Sequence, residues 1–93
     1  MIRSFKCKET EKLFKNKNSM KFPPDIIKRA RNKLILLNSA YKLIDLMAPP
    51  ANKLEQLQGN RAGQHSIRIN DQWRICFVWN DGIIENVEIV DYH

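Results

Sequence analysis

The residues with the most chemistry in this 93-residue chain stand at its end and in the strand-like segments just before it. Asp91-Tyr92-His93 close the sequence, and Arg68, Arg74 and Glu88 precede them in stretches whose bulky residues alternate. Strand side chains point to opposite faces in turn, so parity sorts these residues. With Asn70-Asp71-Gln72 as a three-residue hairpin loop, Ile69 faces Trp73, Ile67 faces Ile75 and Arg68 lies opposite Arg74. A two-residue loop would pair Arg68 with Trp73 and scramble the apolar face. The same argument through Asn80-Asp81-Gly82 sets Glu88 beside Arg74 and carries Tyr92 onto their face.

Two arginines facing each other repel unless something neutralises them. Glu88 is one partner; a phosphate is another, because a guanidinium fork matches its oxygens two at a time. Asp, Tyr and His beside arginines are the residue types that phosphodiester cleavage by internal transesterification needs. A base removes the ribose 2′-hydroxyl proton, cations stabilise the charged phosphorane, and an acid protonates the departing 5′-oxygen. The plainer readings are a solvated, salt-bridged sheet face and an idle, frayed terminus.

A second polar group runs from Lys53 to Arg61, with Glu55 and Gln58 between them. Leu54 and Leu57 anchor it, and Gly59-Asn60 signals a turn that leaves Arg61 near the mouth of the sheet. Glu55 is a candidate base or a solvated edge residue. His65, just before a strand, reads as structural.

The elements that position these groups follow from periodicity. Ile2 to Cys7 reads as a short strand and Lys8 to Lys15 as a brief helix. Pro23-Pro24 start a longer helix near Asp25. Along it Ile27, Ala30, Leu34, Leu37, Tyr41 and Ile44 recur at three and four, with Lys28, Arg29, Arg31 and Lys33 around the rest. Asn38-Ser39 are a possible break, and Pro49-Pro50 end it. The C-terminal half then supplies three antiparallel strands in a meander. The expected fold is α+β, an N-terminal strand and two helices packed on an antiparallel sheet, as a single domain over residues 1–93.

A hydrophobic fraction of 43% and a charged fraction of 28% are those of a folded protein. No apolar stretch approaches the roughly 20 residues of a membrane span, and the N-terminus lacks a secretory core, so a cytoplasmic location is expected. Cys7 and Cys76 are too far apart for a metal or redox pair and read as buried or idle thiols. No phosphate-binding glycine loop, nucleophile elbow or metal-ligand spacing is present, so no cofactor and no metal is expected. The net charge of +6 is unevenly spread. Met1 to Asn52 hold nine Lys and three Arg against four carboxylates (+8), and the remainder four cations against six (−2). The Lys-rich half, with Phe5, Phe14 and Phe22 interspersed, reads as a surface for structured RNA.

The segments Lys53 to Arg61, Gly63 to Asn70, Gln72 to Phe77 and Val87 to His93, with the opening Met1 to Lys6, resemble the HigB toxins of the RelE/ParE superfamily, the plasmid maintenance killer group. The resemblance spans nearly the whole chain. It implies a RelE-like, microbial-ribonuclease-like sheet, cleavage of messenger RNA in the ribosomal A site, and neutralisation by a helix-turn-helix, HigA-like antitoxin that also represses its operon. The family's basic sheet residue matches Arg74, and its terminal Asp-Tyr-His matches Asp91, Tyr92 and His93. With Glu55 these form the expected catalytic set, and Lys53, Gln58, Arg61 and Arg68 the expected RNA-phosphate contacts. Where some HigB toxins carry His and Lys in the pattern Lys-Leu-His-Pro-Leu-Lys-Gly, this chain has Glu55 and Gln58. Either Glu55 takes the base role or the toxin is milder.

Two other readings share the scaffold, which does not decide function. One is a ParE-like poison of DNA gyrase; the other is a weakly active or non-catalytic RNA-binding relic. The Asp91-Tyr92-His93 ending favours the ribonuclease.

Overall fold

The computed structural model describes residues 1–91; Tyr92 and His93 lie outside the described residues. Helix α1 spans Lys8–Phe14 and α2 spans Pro24–Ser39. Short 3-10 turns at Leu43–Met47, Pro50–Asn52 and Gly59–Arg61 punctuate the connection to the sheet. The sheet has strands β1 (Glu55–Gln56), β2 (His65–Arg68), β3 (Trp73–Asn80) and β4 (Ile83–Asp91), antiparallel and in the order β1-β2-β3-β4. The α+β expectation holds, with one strand more than the three-stranded meander. β1 is two residues of exposed polar side chains, which carry no alternation for a sequence pattern to register.

The N-terminal segment is extended but is not a regular strand. It runs parallel to β4 and touches it at two isolated bridges, Ile2 with Ile84 and Phe5 with Val87. Between them Asn86 adopts a left-handed φ of 55°, which asparagine tolerates and which breaks the ladder. There its backbone N–H donates to Ser4 Oγ at 2.9 Å.

Proline opens α2 with its φ pre-set and no N–H to leave unpaired. Ile26, Ala30, Leu34 and Leu37 form its buried stripe, while Ile27 is half-buried. The expected stripe overran the helix: it ends at Ser39, and Tyr41 and Ile44 are exposed. Asn38 and Ser39 account for the break. Asn38 Oδ1 accepts from Ile2 N at 2.9 Å, tying the helix end to the N-terminal segment, and Ser39 Oγ caps back onto Leu36 O at 2.9 Å. Beyond it, Asp45 accepts from the N–H groups of Tyr41 and Lys42 at 3.0 and 2.9 Å, starting the first 3-10 turn. α1 docks on β4 through buried Thr10, whose hydroxyl accepts from Ile89 N at 3.1 Å.

The β2–β3 loop is the expected three residues. Asn70 Oδ1 closes it by accepting from Gln72 N and Trp73 N at 2.9 and 2.8 Å. Arg68 therefore stands opposite Arg74, and Ile67 opposite Ile75. The β3–β4 turn differs: Asp81 and Gly82, both at positive φ, make a two-residue turn, and Asn80 pairs with Ile83. That turn alone would put Arg74 opposite Ile89 and exchange the faces of β4. A bulge restores them, because Asn86 and Val87 together oppose Phe77. Cys76 then pairs with Glu88, and Arg74 with Val90.

One face of the sheet, with Ile67, Ile75, Phe77 and Ile89, closes the core against Leu13, Phe22 and the α2 stripe. The other carries Arg68, Arg74 and Glu88, as parity assembled them, joined by Ser66 and Cys76.

Candidate active site

Arg74 anchors the polar face and is only 5% exposed. A buried guanidinium needs its donors matched. Nε donates to Ser66 Oγ at 2.8 Å, and Nη2 donates to Lys53 O at 2.5 Å and to Ser66 O at 3.3 Å. Nη1 lies 3.6 Å from Glu55 Oε1. Ser66 and Lys53 thus hold the fork from below and from the side, and Glu55, half-exposed on β1, meets its outer end.

The repulsion expected between Arg68 and Arg74 is relieved by turning the forks apart. Arg68 pairs with Asp71 in its own hairpin loop, while Arg74 turns towards β1 and the Lys53 carbonyl before it. Glu88 shares Arg74's face as expected but is not its carboxylate partner: the bulge sets it opposite Cys76, two residues from the expected register. Its Oε1 accepts from Arg61 Nη1 at 2.9 Å and lies 3.8 Å from Lys6 Nζ. The Glu88 hydrogen bond holds the Arg61 guanidinium pKa above its ordinary value. Gln64 Oε1, at 3.2 Å, is a second acceptor for Arg61.

Lys53 acts through its backbone. It sits in the left-handed region, φ 44°, just after the 3-10 turn that ends at Asn52, which aims its carbonyl at Arg74 and leaves its side chain exposed. Gln58 is exposed and shares with Glu55, Leu57 and Arg61 an open groove of ≈ 350 Å³. The loop 53–61 and the sheet face thus meet at one site. Asp91 is not brought to it: it pairs with Trp73, on the face of Ile75 and Ile89, and its Oδ2 accepts from Gln72 Nε2 at 3.0 Å. The expected roles of Tyr92 and His93 fall outside the described residues.

Sequence reasoning missed Ser66 and Lys6, while Cys76, read as a buried or idle thiol, is indeed buried. Ser66 was within reach, since it lies two residues before Arg68 on the same face. Lys6 carries no sequence signal; the parallel run of the N-terminal segment along β4 delivers it. Cys76 is buried between Arg74 and Glu88, and burial pushes its thiol pKa up despite nearby Arg61, Arg74 and Lys6. His65, at the start of β2 between Gln56 and Phe77, packs on the Phe77 ring with centroids 6.1 Å apart, and burial lowers its pKa.

Chemically the face offers a rigidly held guanidinium, a carboxylate 3.6 Å from its outer nitrogen, and further cations in Arg61 and Lys6. That set matches a phosphodiester with a neighbouring hydroxyl.

A family model described as the RelE-like toxin of type II toxin-antitoxin system HigB matches residues 3–93. Toxin HigB-1 of Vibrio cholerae is 38% identical over 87 residues, covering 92% of each chain. Endoribonuclease HigB of Proteus vulgaris is 31% identical over 93 residues, 100% of each. Among solved structures, YafQ from E. coli superposes with TM-score 0.63 at 16% identity, covering 98% of this chain and 91% of that one. The toxin-antitoxin complex YoeB-YefM of Staphylococcus aureus gives 0.61 at 21%, covering 100% and 95%. At those identities the structural matches speak for the fold.

Proposed function

This chain belongs to the RelE-like toxins of type II toxin-antitoxin system HigB, and from that membership we propose that it is a metal-independent endoribonuclease that cuts messenger RNA in the ribosomal A site and so inhibits translation. A toxin of a type II system has an antitoxin for partner; here it is a helix-turn-helix protein of the HigA kind. The chain acts as a single domain in the cytoplasm, and among the described residues no helix is long and apolar enough to cross a membrane.

The observation that carries this reading is the Arg74 fork, held by Ser66 and Lys53 with Glu55 at its outer end. A scissile phosphate seated on Arg74 meets a cation whose geometry is set before the substrate arrives, so little reorganisation opposes charge build-up on the phosphorane. Glu55 then stands beside the attacking 2′-hydroxyl as base. Arg61, with Lys53 and Gln58 at the groove, steadies the neighbouring backbone. Protonation of the leaving 5′-oxygen falls to the terminal Tyr92-His93, with Asp91 supporting them from the end of β4. The basic N-terminal half supports docking on ribosomal RNA.

The test is primer extension on a defined message translated by purified ribosomes, with wild type, Glu55→Gln and Arg74→Lys. Arg74→Lys keeps a cation in the buried site. Cuts at the A site that fade in both variants are expected. An intact message beside a wild-type protein that still arrests growth would overturn the reading and direct attention to DNA gyrase.

A further inference from the structure

A second cationic recess lies around the corner from the Arg74 face, at the edge of β2 that β1 leaves uncovered. β1 pairs with β2 only at Ser66 and His65, so the sheet edge is open from Ile67 onwards. There α2 passes the hairpin and leaves a cleft of ≈ 290 Å³ lined by Arg29, Lys33, Ala51, Arg68 and Ile69. Among the described residues the lining holds three cations and no carboxylate.

The partners of these cations set the cleft apart from an ordinary solvated helix face. Arg29 donates to the carbonyl of Ile69 at 3.4 Å, and Lys33 to the side-chain oxygen of Asn52, so both are oriented by neutral acceptors. Arg68 is the one with a counter-ion, Asp71, which is 96% exposed. An exposed pair of that kind is weak and readily exchanged for another anion. Burial and the neighbouring Arg29 both hold the Lys33 pKa below its ordinary value, as expected where positive charge is concentrated without compensation.

The recess is coupled to the active face by one short stretch of backbone. Ala51 forms its wall, Asn52 is fully buried and fixes Lys33, and Lys53 O grips Arg74. From the other side Arg68 stands directly opposite Arg74. Arg68 thus belongs to the cleft while its backbone stands one strand spacing, roughly 5 Å, from that of Arg74.

We propose that the Arg29–Lys33–Arg68 cleft is a second phosphate site, which binds the backbone of the same RNA strand next to the phosphate held by Arg74. Arg68 is shared between the two, exchanging Asp71 for RNA. The choice of RNA rests on the ribonuclease reading, but the site is tested by binding alone.

The probe is a 2′-O-methyl RNA strand of about 12 nucleotides, which transesterification cannot cut. Affinity is measured by fluorescence anisotropy between about 50 and 200 mM salt. Arg29→Gln is expected to bind about fivefold more weakly at about 0.1 M salt, with a log–log slope shallower by about 0.7, the share of one phosphate on a single strand. Asp71→Asn is expected to bind about two- to fivefold more tightly, a gain that misfolding cannot produce. Unchanged affinity and slope in both variants, or no measurable binding by wild type at the lowest salt, would overturn the proposal. So would an Arg29→Gln protein that binds RNA normally but its antitoxin poorly, since the cleft would then serve an acidic protein segment. None of these results bears on whether the message is cut, which primer extension decides separately.

Discussion

Arg74 Nε donates to Ser66 Oγ across the β2–β3 pair at 2.8 Å, so a residue of the reactive face is also one of its buried structural ties. Function and stability are coupled at that bond.

Truncating Arg74 should therefore damage both. Arg74→Ala leaves Lys53 O and Ser66 short of a charged donor and should cost about 2–4 kcal/mol of unfolding free energy in urea. Arg74→Lys should retain most of the stability but lose the fork, with cleavage down at least about tenfold. An Arg74→Ala protein as stable as wild type would contradict the buried network.

Ser66→Ala separates the two effects. Losing one hydrogen bond to a charged group should cost about 1.5–3 kcal/mol, and the loosened guanidinium should lower kcat more than it raises KM. A pure KM effect in single-turnover cleavage would mean that Ser66 does not orient Arg74 for the reaction.

Glu55→Gln preserves shape and removes the proposed base. Cleavage should fall by about 10²- to 10⁴-fold, and the limb of the pH–rate profile that reports the base should disappear. A variant with the wild-type profile would move the base role away from Glu55.

His65 should give a pH signature in stability. Burial holds its folded pKa below the 6.5 of an ordinary histidine, so near neutral pH both states are uncharged and its contribution is intact. As pH falls through 6.5 the unfolded chain takes up a proton that the folded site resists, and stability declines until the folded pKa is passed. Urea midpoints between about pH 7 and 5 should fall more steeply for wild type than for His65→Gln. Parallel curves would show that His65 is solvated as in the unfolded chain. Asp45 and Glu9, whose pKa values are lowered by hydrogen bonds, contribute their own losses at more acid pH.

Asn52→Ala tests the stretch joining the site to α2. Its amide donates to Leu46 O and Ala48 O, both at 3.1 Å, and its oxygen accepts from Lys33. Removing it from full burial should lower stability by about 2–4 kcal/mol and reduce cleavage through Lys53 and Arg74. Normal stability would contradict its role as the hub of that segment.

The chain's local grammar was enough for two helices followed by an antiparallel meander, the three-residue β2–β3 loop, and the gathering of Arg68, Arg74 and Glu88 on one face. These rest on period and turn chemistry, which a few neighbouring residues decide. The α2 stripe was legible up to Leu37. Asn38-Ser39 were legible as a possible break, but that the helix stops there instead of running on to Pro49 was not; that is decided by Asn38 bonding Ile2, 36 residues away. Tertiary structure alone decided the rest. The two-residue turn at Asp81-Gly82 and the bulge at Asn86 together moved Glu88 from Arg74 to Arg61, and β1 brought Glu55 to the fork. Lys53 and Ser66 buried a guanidinium that its charge alone would place in water. Such pairings depend on which polar groups meet once the core has closed, and long-range hydrogen bonding and desolvation select them with no periodic trace in the chain.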